Sequence, residues 1–166
     1  MCTSEEKNKA ALILQNFFKK IRRKKHPNVL SFYLQMVKFK KIAQEVLSEL
    51  GSGRLEKHYQ QAMMYELRKS GYNISTEISR PIPYKDTYLD NCFGTTDIIV
   101  NKHIVIELKA TGHLNKFSSA HVQCYNYIKD HKYDYGIVLN FVKSPTPLEK
   151  LKKKTIRPLE CFLVYP

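Results

Sequence analysis

The stretch "GTTDIIVNKHIVIELKA", residues 94–110, holds two short runs of β-branched residues separated by Asn-Lys-His. Runs of this kind on either side of a short polar loop predict a β-hairpin. Three ionisable residues lie among the apolar ones: Asp97, Glu107 and Lys109. Because a buried charge is costly unless it is paired, these three residues need compensating partners.

The length of the loop decides which side chains face each other. A loop of three residues pairs Val100 with Ile104, and this pairing places Asp97 directly opposite Glu107. Since side chains alternate between the two faces of a sheet, Lys109 shares the face of the two carboxylates. The opposite face is apolar and consists of Ile98, Val100, Ile104, Ile106 and Leu108. A loop of two or four residues would destroy this register.

Two carboxylates opposite each other destabilise a sheet unless a cation lies between them. Lys109 supplies one positive charge, and two close carboxylates are also what Mg²⁺ or Mn²⁺ prefers. An ion held by Asp97 and Glu107 would polarise a phosphate, with Lys109 orienting or activating the attacking water, so the pattern is typical of metal-assisted phosphodiester hydrolysis. The alternative is an ordinary Glu-x-Lys strand with a surface Asp, and the triplet alone is too degenerate to decide.

The composition favours a polyanionic partner. The chain has 166 residues, 43% of them hydrophobic, and a formal net charge of +13. We expect one domain with an N-terminal appendage, and nucleic acid as the first partner before an acidic membrane surface or an acidic protein. The four scattered cysteines and the lack of a run of about 20 apolar residues predict no membrane span and an intracellular location, in cytoplasm or nucleus.

Hydrophobic spacing divides the chain into a helical extension and an α/β domain. Residues 3–25 and about 31–50 follow a helical period, and the second run ends at Gly51. We therefore expect a basic extension of two helices over residues 1–50. From residue 52, where Ser52 is the predicted N-cap, the order is helix, three strands, helix and strand, with one extra strand at the end. This order indicates a central mixed sheet flanked by helices.

Five segments in this order resemble the GxxExxY proteins, a branch of the PD-(D/E)XK nuclease superfamily. They are "GRLEKHYQQAMMYELRKSGY", "STEISRPIPY", "TTDIIV", "IVIELKA" and "HVQCYNYIK". The eponymous pattern stands at Gly53, Glu56 and Tyr59. The resemblance covers about residues 50–165 and implies a restriction-endonuclease-like αβββαβ core over residues 51–166, which agrees with the order read from the periodicity.

The resemblance also implies a role for each site residue. Asp97 and Glu107 correspond to metal ligands and Lys109 to the catalytic lysine. Glu56 resembles the helix carboxylate that often joins the metal site, and Gln123 the polar residue on the following helix. Thr96 stands where the hallmark "PD" has proline, a loosely kept position. The implied activity is Mg²⁺- or Mn²⁺-dependent cleavage of nucleic acid, DNA before RNA; the alternative is a non-catalytic nucleic-acid-binding or protein-interaction module on the same scaffold.

Two basic clusters are predicted to contact a nucleic-acid backbone. They are Lys19, Lys20, Arg22, Arg23, Lys24 and Lys25 in the first helix, and Lys152, Lys153 and Lys154 near the end. The first helix has a second interpretation, because Leu14, Gln15, Lys19 and Lys24 resemble an IQ motif and indicate a calmodulin-like partner. A homodimer is a further expectation, since enzymes that cut both strands are often dimers.

His113 and His121 flank the loop that leads into the predicted helix around Gln123. Either ring could contact a phosphate or a water molecule. Lone histidines in loops are usually just solvated, so neither belongs to the predicted catalytic set.

Overall fold

A computed structural model describes residues 29–115, 118–143 and 159–165. The helices are α1 (Val29–Leu50), α2 (Glu56–Lys69) and α3 (Ser119–His131); the strands are β1 (Ile74–Tyr84), β2 (Thr87–Val100), β3 (Ile104–Lys109), β4 (Tyr135–Phe141) and β5 (Leu159–Val164). From α2 onward this is the predicted order of helix, three strands, helix and strand, with the extra strand at the end.

The five strands form one mixed sheet in the order β1-β2-β3-β4-β5. All neighbours are antiparallel except β3 and β4, which are parallel and are joined through α3. The predicted α/β class, with a central mixed sheet flanked by helices, is confirmed. β1 lies at the edge of the sheet, where its prolines are tolerated, and its register shifts between Pro81 and Pro83.

The β2–β3 hairpin has the predicted register. Val100 pairs with Ile104 and Ile98 pairs with Ile106, so the connecting loop contains three residues. All five residues of the predicted apolar face are buried: Ile98, Val100, Ile104, Ile106 and Leu108. Because a slip by one residue would move every side chain to the other face of the sheet, burial and loop length together fix the register.

The start of α2 differs from the expectation that Ser52 caps this helix. The helix begins at Glu56, its N-cap is Leu55, and no side chain caps it. The Ser52 hydroxyl instead donates a hydrogen bond to the carbonyl oxygen of Val142 at 3.0 Å. Helical spacing from Ser52 places Leu55 on the inward face, yet its side chain is 68% exposed because it precedes the helix.

Tyr59 fixes the first turn of α2 against the sheet. Its ring is fully buried and stacks on Phe141 of β4 at a centroid distance of 4.1 Å. Its hydroxyl donates to the carbonyl oxygen of Gly51 at 2.7 Å and accepts from the Arg54 amide at 3.2 Å. Glu56, one turn earlier in the helix, is thereby held near the ends of the central strands.

β2 is longer than the sequence predicted. The predicted β-branched run begins at Thr95, yet the strand starts at Thr87 and its first part forms an exposed ribbon with β1. Residues 89–94 lack apolar alternation, which explains why the pattern did not reveal them as a strand.

The chain divides into two units between residues 35 and 36, and every strand of the described residues belongs to the second unit. α1 confirms the helix predicted over residues 31–50, and it is followed by Gly51, whose φ of +72° suits glycine. The predicted first helix and both basic clusters lie outside the described residues, and the division at residues 50 and 51 stays a prediction. In the described part of the chain no helix is long and apolar enough to cross a membrane.

Gly136 allows α3 to pack directly on β4. A Cβ atom at this position would overlap Cys124 Sγ and lie 2.8 Å from Ile128 Cδ1. We expect Gly136→Ala to lower the free energy of unfolding by about 1–3 kcal/mol, because the buried neighbours must shift. Urea denaturation measures this loss. Gly112→Ala is the matched control, since nothing lies within 4 Å of its added Cβ; equal stability of the two variants would contradict the packing.

Candidate active site

Lys109 lies between two carboxylates from different elements. Its Nζ is 2.7 Å from Glu107 Oε1 and 3.7 Å from Glu56 Oε1. Glu107 is only 2% exposed, whereas the Lys109 side chain is 25% exposed. The two-residue spacing of Glu107 and Lys109 places both side chains on one face of β3, and the start of α2 brings Glu56 to them.

Asp97 is joined to the same short segment of β3. Its Oδ2 accepts a hydrogen bond from the Leu108 amide, between Glu107 and Lys109, at 2.7 Å. Its own carbonyl oxygen accepts from Gln60 Nε2 at 3.3 Å, and Gln60 is buried on α2. The backbone of β3 therefore holds the Asp97 carboxylate beside Glu107, as predicted. The Gln60 side chain of α2 holds the backbone of Asp97.

Burial and like charge dominate the electrostatics of the site. Desolvation, followed by the charge of Asp97, raises the pKa of Glu107 to about 7, and the bond from Lys109 only partly opposes this. For Lys109, burial alone would lower the pKa, but the hydrogen bond and charge of Glu107 outweigh it and raise the pKa. At neutral pH the ammonium is therefore charged, while Glu107 lies close to its titration midpoint.

The two helix residues of the predicted site occupy different positions. Glu56 Oε2 accepts from the Ala110 amide at 3.2 Å, so its carboxylate contacts both Lys109 and the backbone that follows it. Gln123 lies on α3, is exposed, and donates to the carbonyl oxygen of Thr95 at 3.4 Å. Glu56, Asp97, Glu107 and Lys109 are thus drawn together, while Gln123 bonds to β2 two residues before Asp97.

The sequence did not indicate three residues that support this site: Gln60, Asn140 and Glu160. Asn140 is fully buried and lies next to Lys109 in the sheet register. Its Oδ1 accepts from the Thr111 amide at 3.2 Å, and its Nδ2 donates to Gly112 O at 2.7 Å and to Glu160 Oε2 at 2.9 Å. No local pattern could have found these contacts, because the neighbouring strands are distant in sequence.

Comparison with known proteins decides the family. A family model of the PD-(D/E)XK nuclease superfamily matches residues 33–153. The chain belongs to this superfamily. No curated protein sequence matches it significantly. A solved structure described as "Crystal structure of SSO0001" is similar, with 18% identity and a TM-score of 0.44 over 79% of this chain; the match spans 61% of that protein's length.

The chemistry of the four charged side chains fits a divalent cation. Three carboxylates and one ammonium leave two net negative charges when all are ionised, and carboxylate oxygens are the ligands that Mg²⁺ prefers. Within residues 29–115, 118–143 and 159–165, no group of three or more His, Cys, Asp or Glu side chains is arranged so that it could hold a metal ion. Mg²⁺ in sites that process nucleotides is usually bound by one or two carboxylates, together with waters and substrate phosphates. Asp97 and Glu107 would supply these two carboxylates.

Glu107 should make the stability of the metal-free protein fall as pH rises. In the unfolded chain it ionises near the ordinary glutamate pKa of 4.5, whereas in the folded protein its pKa is about 7. Between these values folding takes up a proton, so the free energy of unfolding decreases by an amount on the order of 2–3 kcal/mol.

Urea denaturation in EDTA from pH 4.5 to 8 measures this dependence. The Glu107→Gln variant lacks the titrating group, so its stability relative to the parent should rise across the same interval. A constant difference between the two proteins would contradict a raised pKa for Glu107.

Proposed function

We propose that this chain is a Mg²⁺- or Mn²⁺-dependent nuclease that hydrolyses phosphodiester bonds, with DNA as a more suitable substrate than RNA. The observation that carries the proposal is the position of Lys109, 2.7 Å from Glu107 and 3.7 Å from Glu56, beside Asp97 in a member of a nuclease superfamily. An ion pair between Lys109 and Glu107 that served only stability would not need Asp97, whose carboxylate bonds to the backbone amide between these two residues.

Asp97 and Glu107 would hold the metal ion, and Glu56 stays the predicted third ligand. When bound, the ion would polarise the scissile phosphate and lower the pKa of a coordinated water. The raised pKa of Lys109 favours its charged form. Its ammonium therefore orients the attacking water by hydrogen bonding and offsets the negative charge of the transition state, rather than accepting a proton.

We also propose that the chain belongs to the GxxExxY branch of the superfamily. Each residue of this pattern has a physical role that supports it. Gly53 has a φ of +86°, which residues with side chains rarely adopt. Glu56 contacts Lys109, and Tyr59 anchors the turn before α2 through Gly51.

The proposed partner is nucleic acid bound through backbone charge rather than through base-specific contacts. The net charge of +13 supports it. The basic clusters predicted in residues 19–25 and 152–154 remain the proposed contacts, and a calmodulin-like partner and a homodimer stay predictions.

Cleavage assays test the proposal. With Mg²⁺ or Mn²⁺, the parent should cut supercoiled, linear, branched or single-stranded substrates. Asp97→Asn, Glu107→Gln and Lys109→Met should each reduce the rate by at least about 100-fold, because each removes a charge needed for ion binding or transition-state stabilisation. Lys69→Gln is the control for loss of a lysine, since Lys69 is 60% exposed and forms its ion pair with Glu66 near the far end of α2.

Two results would contradict the proposed nuclease activity. One is the absence of cleavage of every substrate; the other is cleavage by the Lys109→Met protein at the rate of the Lys69→Gln control. Titration of Mn²⁺ into the apo protein by calorimetry separates the alternative. A non-catalytic binding module would bind nucleic acid in a salt-sensitive way but show no Mn²⁺ binding that depends on Asp97 and Glu107.

A further inference from the structure

The segment that follows Lys109, residues 110–114, is held in place by side chains from three other elements. The Ala110 amide bonds to Glu56 of α2. The amides of Thr111 and Leu114 bond to Asn140 of β4 and Glu160 of β5, at 3.2 and 2.9 Å. An irregular segment fixed through its backbone in this way can present a side chain in a defined position.

His113 is the side chain that this segment presents. Its Nδ1 lies 2.7 Å from Glu160 Oε1. Partial burial alone would raise the pKa of Glu160, but bonds from Leu114, Asn140 and His113 outweigh it and lower the pKa, so the carboxylate is ionised. An ionised carboxylate only accepts hydrogen bonds, which makes Nδ1 the donor and fixes the ring by its inner nitrogen.

The sheet register places this pair beside the candidate active site. Lys109 is the direct neighbour of Asn140 on β4, and Asn140 is the direct neighbour of Glu160 on β5. Glu160, to which His113 is bonded, therefore lies two strands away from Lys109. Adjacent strands are about 5 Å apart.

The outer part of the His113 ring faces solvent. The side chain is 61% exposed, and its bond to Glu160 uses Nδ1, which leaves Nε2 on the opposite side of the ring. Lys143 lies next to the same segment, since its amide donates to Thr111 O at 2.7 Å and its side chain is exposed. The outer edge of the segment therefore combines a lysine with an imidazole whose second nitrogen points outward.

We propose that His113 is a substrate-contacting residue, which donates a hydrogen bond from protonated Nε2 to a phosphate oxygen of the nucleic-acid backbone next to the cleaved phosphate. Glu160 and Asn140 are positioning residues that aim the ring. The inference rests on the substrate class of the proposed function and does not depend on cleavage itself.

Binding measured without divalent metal tests this role. Fluorescence anisotropy of a labelled DNA oligonucleotide with the full chain in EDTA, at about pH 5.5, which is below the reference pKa of histidine in model peptides, gives affinity as a function of salt. His113→Asn can still donate to Glu160 through its amide but lacks the outer N–H, whereas His113→Ala loses both.

Both variants should bind DNA about 3- to 10-fold more weakly, and the slope of log K against log salt should decrease by about one. The melting temperature should fall for His113→Ala more than for His113→Asn. His103→Asn is the matched control, because His103 is an exposed histidine in the β2–β3 loop; it should bind DNA as the parent does. In the presence of metal, His113→Asn should raise KM with little change in kcat.

If His113→Asn keeps the affinity and salt slope of the parent, His113 only fastens the segment and the proposal is overturned. This result differs from failure of the proposed function. A parent that binds DNA but cuts nothing would remove the nuclease while the His113 contact remains measurable. If the parent cuts DNA and the His113→Asn variant binds and cuts it equally well, only the proposed His113 contact is contradicted.

Discussion

The candidate site depends on the burial of one carboxylate, Glu107. At 2% exposure and beside Asp97, this group has lost most of its hydration, and its pKa rises to about 7. A buried carboxylate of this kind is stable only if it is protonated or compensated by a cation. Lys109 compensates part of the charge at 2.7 Å, and a divalent ion would compensate the rest.

Two strands and the helix α2 meet at this carboxylate. The β2–β3 register brings Asp97 alongside, and its Oδ2 bonds to the amide of Leu108. α2 contributes Glu56, whose place is set by the stacking of Tyr59 on Phe141. Gln60, one residue after Tyr59, bonds to the backbone of Asp97. One short helix therefore supports two of the three acidic residues, and its first turn could not shift without disturbing both.

The polar network after β3 shows how an irregular segment is made rigid. The amides of Ala110, Thr111 and Leu114 donate hydrogen bonds to Glu56, Asn140 and Glu160, respectively. Asn140 is completely buried and satisfies two backbone groups as well as Glu160. The segment leads to α3, whose close packing on β4 requires glycine at position 136. The contacts that hold the site thus extend to β4 and β5, two strands that carry none of its four charged residues.

The sequence by itself determined the hairpin, its register, its two faces and the order of helices and strands. These features depend on a three-residue loop and on periods of two and 3.6 residues, which act between near neighbours. Tertiary structure alone decided that α2 starts at Glu56 rather than after Ser52, and that β2 extends back to Thr87 along β1. It also decided the contacts of Ala110 with Glu56 and of His113 with Glu160, 54 and 47 residues apart. Such pairs meet only after the strands have taken their order and α3 has crossed between β3 and β4, so no local pattern records them.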